Sequence, residues 1–413
     1  MKEGTATTTP PLEPARVNYR HLPEEALQQL VEANKRIYTE HFDPDFLKSL
    51  NEAVVDMLNI YFRPVFVGFD EMPLRSNPDR PLIYACNHSG MAFPWDAIIF
   101  GAGIFRKHGY QMERLFRPLS APALSASSLM NPFMVKDMWK RVGSIDATGL
   151  NFETMMQYPD ANLLVYPEGI PGIGKGFNRR YQLQTFSTSM IRMAIKHRTD
   201  IIGISCVNGE YINPYSYASR RINKLINKLG IPYLPVAVHT PLLLFLPWMF
   251  YYALPAKLTY VRGNTYKPYE MAGGRSLEEL TVEEVRRIRD DIQADMQAQL
   301  TQSVAQYGQK PYDWREFGRS LRQHWRKLPY WTPIGWPALF TEFERRYQRE
   351  TPPPKDVTQG WFRFWRIVAR NPIILAYYVP ILGWIPLLYK GLRDRRKVRP
   401  WQGPQDGERP LAV

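Results

Sequence analysis

Cysteine is nearly missing from this chain. Cys86 and Cys206 are the only two among 413 residues, and they fall in separate predicted strands. That excludes a disulfide framework as the source of stability. A chain of this length with 45% hydrophobic residues must instead bury one large core plus a smaller unit. Acidic residues are also in deficit, 39 against 53 basic ones, for a net charge of +14. Such an excess calls for an anionic partner, either nucleic acid or a membrane surface. No zinc-finger, homeodomain or RNA-recognition signature is visible, whereas 11 Trp and 24 Tyr sit beside apolar runs and basic clusters. The bilayer is therefore favoured, and nucleic acid is not an expected partner. The N-terminus lacks the apolar core of a signal peptide, and the two longest uncharged stretches are both broken by proline. The expectation is a chain held on the cytoplasmic face of a membrane without crossing it.

Two stretches carry the chemistry. Leu82-Ile-Tyr-Ala-Cys-Asn-His-Ser-Gly-Met-Ala-Phe-Pro-Trp-Asp96 begins as a short apolar strand and breaks at Asn87 into a polar turn with His88 at its mouth. It closes at Asp96, where the apolar Ala97–Phe100 begins a helix. A strand that delivers a histidine to a loop, with a carboxylate opening the next helix, makes a base and its orienter. The plain structural alternative is a turn-capping histidine and a helix-capping aspartate. The second stretch, Asn162-Leu-Leu-Val-Tyr-Pro-Glu-Gly-Ile-Pro-Gly-Ile-Gly-Lys-Gly176, is again a short buried-type strand, now ending in Pro167-Glu168-Gly169.

In order, Asn87-His88…Asp96 and Tyr166-Pro167-Glu168-Gly169 resemble the Asn-His…Asp and Phe-Pro-Glu-Gly loops of the glycerolipid acyltransferase superfamily. Gly143-Ser-Ile-Asp-Ala147, Lys175-Gly-Phe-Asn-Arg-Arg-Tyr181 and Ile201-Ile-Gly-Ile-Ser-Cys-Val-Asn-Gly-Glu210 fit the same pattern. The resemblance covers about Arg80 to Tyr269 and is nearest the diacylglycerol-acyltransferase-like and phytyl-ester-synthase-like branch. It implies O-acyl transfer from acyl-CoA or acyl carrier protein to a hydroxyl of a membrane lipid, a glycerolipid or lysophospholipid. His88 would be the general base and Asp96 its orienter, with the Glu168-Gly169 loop at the acceptor. Neither a cofactor nor a metal is implied. Lys175, Arg179 and Arg180 are candidates to hold the donor's phosphates, with Arg141 a lesser one; a solvated basic face is the alternative there.

Two departures from the family pattern matter. Seven residues separate His88 from Asp96, where four are usual. Eight positions along a straight helix span ~12 Å, so a His–Asp contact requires the loop to fold back, with Gly90 and Pro94 supplying the bends. The Glu-Gly motif also lacks the usual Thr-Arg after it, which counts against a glycerol-phosphate acceptor. Among rival readings, Gly169…Gly174-Lys175-Gly176 is one residue short of a phosphate loop and has no hydroxyl for magnesium. A G-x-S-x-G nucleophile elbow is not found. A non-catalytic membrane lipid-binding protein keeping the same fold is the remaining alternative.

Along the chain, residues 1–16 read as a disordered tail and 17–62 as a helical cap with helices over Pro23–Glu40 and Asp43–Tyr61. The acyltransferase-like domain spans 63–306, with strands at Phe62–Gly68, Leu82–Cys86, 162–166, Ile201–Val207 and Leu258–Tyr266, and helices over Asp96–Lys107, Phe152–Gln157 and Arg180–His197. Capping boxes at Ser276/Glu279 and Thr281/Glu284 open a long helix to about Gln306. Residues 307–358 form a basic, aromatic helical extension with a Pro-rich linker at Thr351–Lys355; 359–399 read as a membrane-associated segment and 400–413 as a tail. Tyr233–Ala256 carries no Asp, Glu, Lys or Arg, and its reading stays open between insertion into a leaflet and a buried hairpin over an acyl tunnel. Asn371–Tyr389 is likewise uncharged, between Arg363, Arg366 and Arg370 before it and Lys390, Arg393, Arg395, Arg396, Lys397 and Arg399 after it. That pattern suits a hairpin on an anionic leaflet. The expected fold is α/β: a mixed, mostly parallel sheet wrapped by helices, with a helical N-terminal cap and a C-terminal membrane-associated appendage.

Overall fold

The computed structural model describes residues 22–90, 93–126, 128–226, 235–237, 239–358 and 360–393. Both expected tails, and Arg395, Arg396, Lys397 and Arg399 of the basic cluster, lie outside the described residues. Nine strands are described: β1 (Val65–Val67), β2 (Ile83–Cys86), β3 (Phe116–Ser120), β4 (Ile145–Asp146), β5 (Asn162–Val165), β6 (Ile201–Val207), β7 (Tyr217–Ala218), β8 (Pro235–Val236) and β9 (Thr259–Tyr266). Among the described residues, seven of them form one sheet in the order β1-β9-β6-β2-β5-β3-β4, and β7 pairs with β8 apart from it. β6, β2, β5, β3 and β4 run parallel, while β9 is antiparallel to β6 and parallel to β1. The fold class is therefore α/β with a mixed, mostly parallel sheet.

The centre of the sheet follows from residue type. β2, β5 and β6 are buried along their whole length, as parallel strands covered on both faces must be. Period-two alternation divides their side chains between two cores. Tyr84, Cys86, Leu164, Ile202 and Ile204 join one face, with Trp95, Trp331 and Trp336. Ile83, Ala85, Leu163, Val165 and Ile201 join the other, against helix Ser189–His197 and the long helix Val282–Tyr307. The register aligns Ile83 with both Leu163 and Ile201. The carboxyl ends of all three strands therefore emerge at one edge, carrying Asn87-His88, Tyr166–Gly169 and Asn208–Glu210.

Toward the N-terminus, helix Glu24–Asn34 passes into a 3-10 turn at Lys35–Tyr38, short of the expected helix end at Glu40, and Pro44–Leu50 and Asp56–Phe62 follow, joined through a π-turn at Asn51–Val55. The long helix starts at its capping box: Thr281 N–H donates to Glu284 Oε2 at 2.8 Å, and Glu284 N–H returns to Thr281 Oγ1 at 3.3 Å. Val285, Ile288, Ile292, Met296 and Leu300 lie on its buried stripe.

Two expectations need correction. The helix over Arg180–His197 begins only at Ser189. Ahead of it, side chains capture the backbone donors a helix would need: Tyr181 N–H goes to Glu210, Leu183 to Gln297, Gln184 to Glu168 and Phe186 to Gln293. The C-terminal third, expected as an extension and an appendage, packs on the main body. Trp331, Trp336, Phe340 and Phe343 sit in the same core as Trp95 and Phe46, and Ile367, Ile374, Tyr377 and Leu387 continue it. Replacing a buried tryptophan such as Trp336 by alanine would cost about 3–5 kcal/mol, so this third stabilises the fold as a whole. Among the described residues no helix is long and apolar enough to cross a membrane.

Candidate active site

The site is assembled at the sheet edge where β2, β5 and β6 end. Asn87 prolongs the pairing of β2 with β6, its amide donating to Cys206 O at 3.1 Å and accepting from Cys206 N–H at 2.6 Å. The chain then turns through His88 and Ser89 to Gly90, whose φ of 111° favours glycine and whose missing Cβ would lie 3.1 Å from Gly209 O. Helix Trp95–Lys107 starts directly after Pro94. Trp95 fixes that start, since its indole N–H donates to Tyr251 O at 3.1 Å, and Tyr260 O–H donates to Asp96 O at 2.7 Å.

The loop thus folds back, and the long His–Asp spacing closes. His88 Nδ1 lies 3.0 Å from Asp96 Oδ2, which also accepts the N–H of Ser89 at 3.3 Å. In the tautomer of the neutral imidazole that donates Nδ1–H to this carboxylate, Nε2 carries the lone pair. The Tyr166 ring packs on the imidazole with centroids 4.3 Å apart. His88 also lines an apolar cavity of about 210 Å³, with Phe93, Ala97, Gly101, Leu119, Met130 and Phe250 among its walls.

Glu168 is placed in the site but not where the resemblance puts it. It is fully buried, with Oε1 accepting His88 N–H at 3.0 Å and Oε2 accepting Gln184 N–H at 2.6 Å. It ties the two loops together and does not face the cavity. Burial pushes its carboxyl above the ordinary range, against the lowering pull of Lys175 and the two backbone donors. Gly169 does line the cavity, but its N–H is already donated to Tyr166 O at 2.9 Å.

The expected phosphate-binding cations divide. Lys175 is corrected: it is buried, with Nζ 3.2 Å from Glu210 Oε1 and 4.0 Å from Glu168 Oε2. Burial alone would lower its pKa, but the two carboxylates outweigh this and raise it. A lysine held this way neutralises interior acids and is not open to a ligand phosphate. Arg141 is corrected too. It stacks on Phe46 at 3.5 Å and pairs with Glu344 at 3.1 Å and Asp43 at 3.5 Å, on a separate shallow groove. Arg179 and Arg180 are exposed, Arg180 over the Phe177 ring at 5.0 Å.

Sequence reasoning gave no role to Tyr166, Glu210 or the lock made by Asn87. A buried lysine calls for a buried acid, and Glu210 at the end of β6 was the available one. Cys86 and Cys206 flank the site beneath His88, and burial drives both thiols well above their ordinary pKa. That shift disfavours the thiolate a nucleophilic cysteine needs.

The chain resembles an uncharacterized protein of Mycobacterium tuberculosis (strain H37Rv), at 24% identity over 207 residues, 49% of this chain and 52% of that one. An uncharacterized protein of Mycobacterium leprae is 25% identical over the same length, 49% of this chain and 51% of its own. The chain thus spans about half the length of the curated relatives it matches. No family model matches the chain, and no solved structure matches it either.

Proposed function

We propose that this protein is an O-acyltransferase moving a fatty acyl group from acyl-CoA or acyl carrier protein to a hydroxyl of a membrane lipid, a glycerolipid or lysophospholipid. The observation that carries the reading is the 3.0 Å contact between His88 Nδ1 and Asp96 Oδ2, with His88 on the wall of an apolar cavity. A cavity with such walls suits an acyl chain. A histidine oriented by a carboxylate suits removal of a hydroxyl proton, because an alkoxide does not form unaided near neutral pH.

The acceptor oxygen attacks the thioester carbonyl carbon while its proton passes to Nε2 of His88, and the carbonyl electron pair moves onto oxygen. Asp96 stabilises the imidazolium so formed. Collapse of the tetrahedral intermediate re-forms the carbonyl and expels the thiolate, which takes the proton back from His88. No acyl-enzyme is needed, in keeping with two buried cysteines whose thiolates are disfavoured. Glu168 acts here as a positioning residue for the His88 loop, and Arg179 and Arg180 are the exposed cations left to meet the donor's phosphates.

The test is incubation of purified protein with labelled acyl-CoA or acyl carrier protein and a panel of lipid alcohols. Ester product is expected with wild type, and a loss of about 10²–10⁴-fold in rate with His88→Ala. A protein that only binds lipid would give no product with any acceptor from either donor.

A further inference from the structure

The two long uncharged stretches, far apart in sequence, lie side by side. Ile381 N–H donates to Phe245 O at 2.8 Å, Trp248 N–H to Tyr377 O at 3.2 Å, and the Trp384 indole N–H to Leu244 O at 3.0 Å. Together they form a plate with two faces. The inner face belongs to the protein: Leu243, Met249 and Phe250 line the cavity, and Ile374, Tyr377 and Leu387 enter the core. The outer face is exposed among the described residues. Leu244 is 61% exposed and Ile385 64%, with Leu242, Phe245, Leu375, Ile381 and Leu382 also exposed. A contiguous aliphatic surface of this kind in water marks an interaction site.

We infer that the outer face of residues 239–252 and 371–389 docks onto one leaflet of an anionic bilayer and sets the cavity behind it against that leaflet's acyl chains. Charge favours a bilayer. No acidic residue lies between Gln359 and Arg393, while exposed Arg366, Arg370 and Arg393 and half-buried Lys390 flank the uncharged run. The backbone favours it as well. Lipid offers no partner to a bare N–H, and Pro241, Pro247, Pro372, Pro380 and Pro386 remove donors from the plate, while the cross-links above pair two backbone N–H groups and one indole N–H. The docking stands on the surface alone; the use of the cavity for a lipid chain rests on the proposed transferase reading.

The experiment is flotation of the full chain with phosphatidylcholine vesicles, with and without added phosphatidylglycerol, beside the variant Leu244→Glu/Ile385→Glu. Neither side chain lines the cavity or enters the core, so circular dichroism and the thermal midpoint are expected to match wild type. Wild type should bind anionic vesicles more tightly than neutral ones, and the variant at least about tenfold more weakly. The variant should still esterify a short-chain acceptor in solution while losing transfer to a vesicle-embedded one. Equal vesicle binding by folded wild type and variant would overturn the inference, as would a wild type that binds neither vesicle. A wild-type dimer that the variant converts to monomer, seen by light scattering with no vesicle binding, would assign the face to a second copy and also overturn it. Vesicle binding by a wild type that transfers no acyl group would leave the docking face standing and remove the transferase reading.

Discussion

The backbone N–H of His88 donates to Oε1 of Glu168 at 3.0 Å, so the loop after β2 is held by an acid after β5. Because the second oxygen takes Gln184 N–H, Glu168→Gln would set an amide N–H₂ against one of the two donors. The expected cost is about 1–3 kcal/mol of stability, read by urea denaturation, with slower transfer because the His88 loop loosens. The pH dependence has a definite sign. Burial raises the folded-state pKa of Glu168, so its stabilising contribution is full below the ordinary glutamate value of ~4.3 and falls as pH rises through the folded value. The stability gap between wild type and variant should therefore narrow with rising pH. A gap that widens would mean the carboxyl is held down by its donors instead.

Asp96→Asn tests the orienting role proposed for Asp96. An asparagine amide can present its N–H₂ to Nδ1, which stabilises the wrong tautomer and leaves Nε2 protonated. Transfer is expected to drop by about 10²–10⁴-fold, with the dependence on acceptor concentration little changed. A variant within a few-fold of wild type would reduce Asp96 to a helix-start residue.

How much of this was legible in sequence depended on range. β2, β5 and β6 were readable because each is a short apolar run buried on both faces, and the His88 and Glu168 loops because they end such strands. The bend between His88 and Asp96 was readable from Gly90 and Pro94. What escaped was non-local. Gln293 and Gln297, more than a hundred residues away, hold Phe186 and Leu183 out of a helix. Arg141 is engaged by Glu344, 203 positions on. In the C-terminal third, Trp331 and Trp336 look like interfacial aromatics in the sequence, yet they fill the core beside Trp95.

Lys175 gives a stability prediction. Lys175→Met should destabilise by about 3–5 kcal/mol, because it strands the buried acid Glu210. Lys175→Met/Glu210→Gln should recover part of that loss, since it removes the nearer carboxylate's charge while an amide oxygen still accepts Tyr181 N–H. The two carboxylates raise the folded-state pKa of Lys175, so its contribution is full below ~10.4 and is lost as pH rises through the folded value. Alkaline denaturation of the double variant should therefore lack this component. Failure of the second substitution to restore stability would show that the pair is not what neutralises this interior.

The cavity offers the sharpest test of an acyl site, through two glycines on one helix. Gly101 lines the cavity, and a Cβ built there meets nothing within 4 Å. Gly103, two residues on, would bring its Cβ to 2.1 Å from the Phe66 ring. A glycine inside a helix costs about 0.5–1 kcal/mol relative to alanine, so Gly101→Ala should raise the unfolding midpoint slightly, while Gly103→Ala should lower it by forcing Phe66 aside. Gly101→Leu sends a branched side chain into the space an acyl chain would occupy. If that space is the acyl site, kcat/KM for long-chain donors should fall about tenfold or more, while short-chain donors are used nearly as before. The check is a chain-length series of acyl-CoA donors run on folded wild type and Gly101→Leu. An unchanged chain-length profile would put the acyl chain elsewhere than beside Gly101.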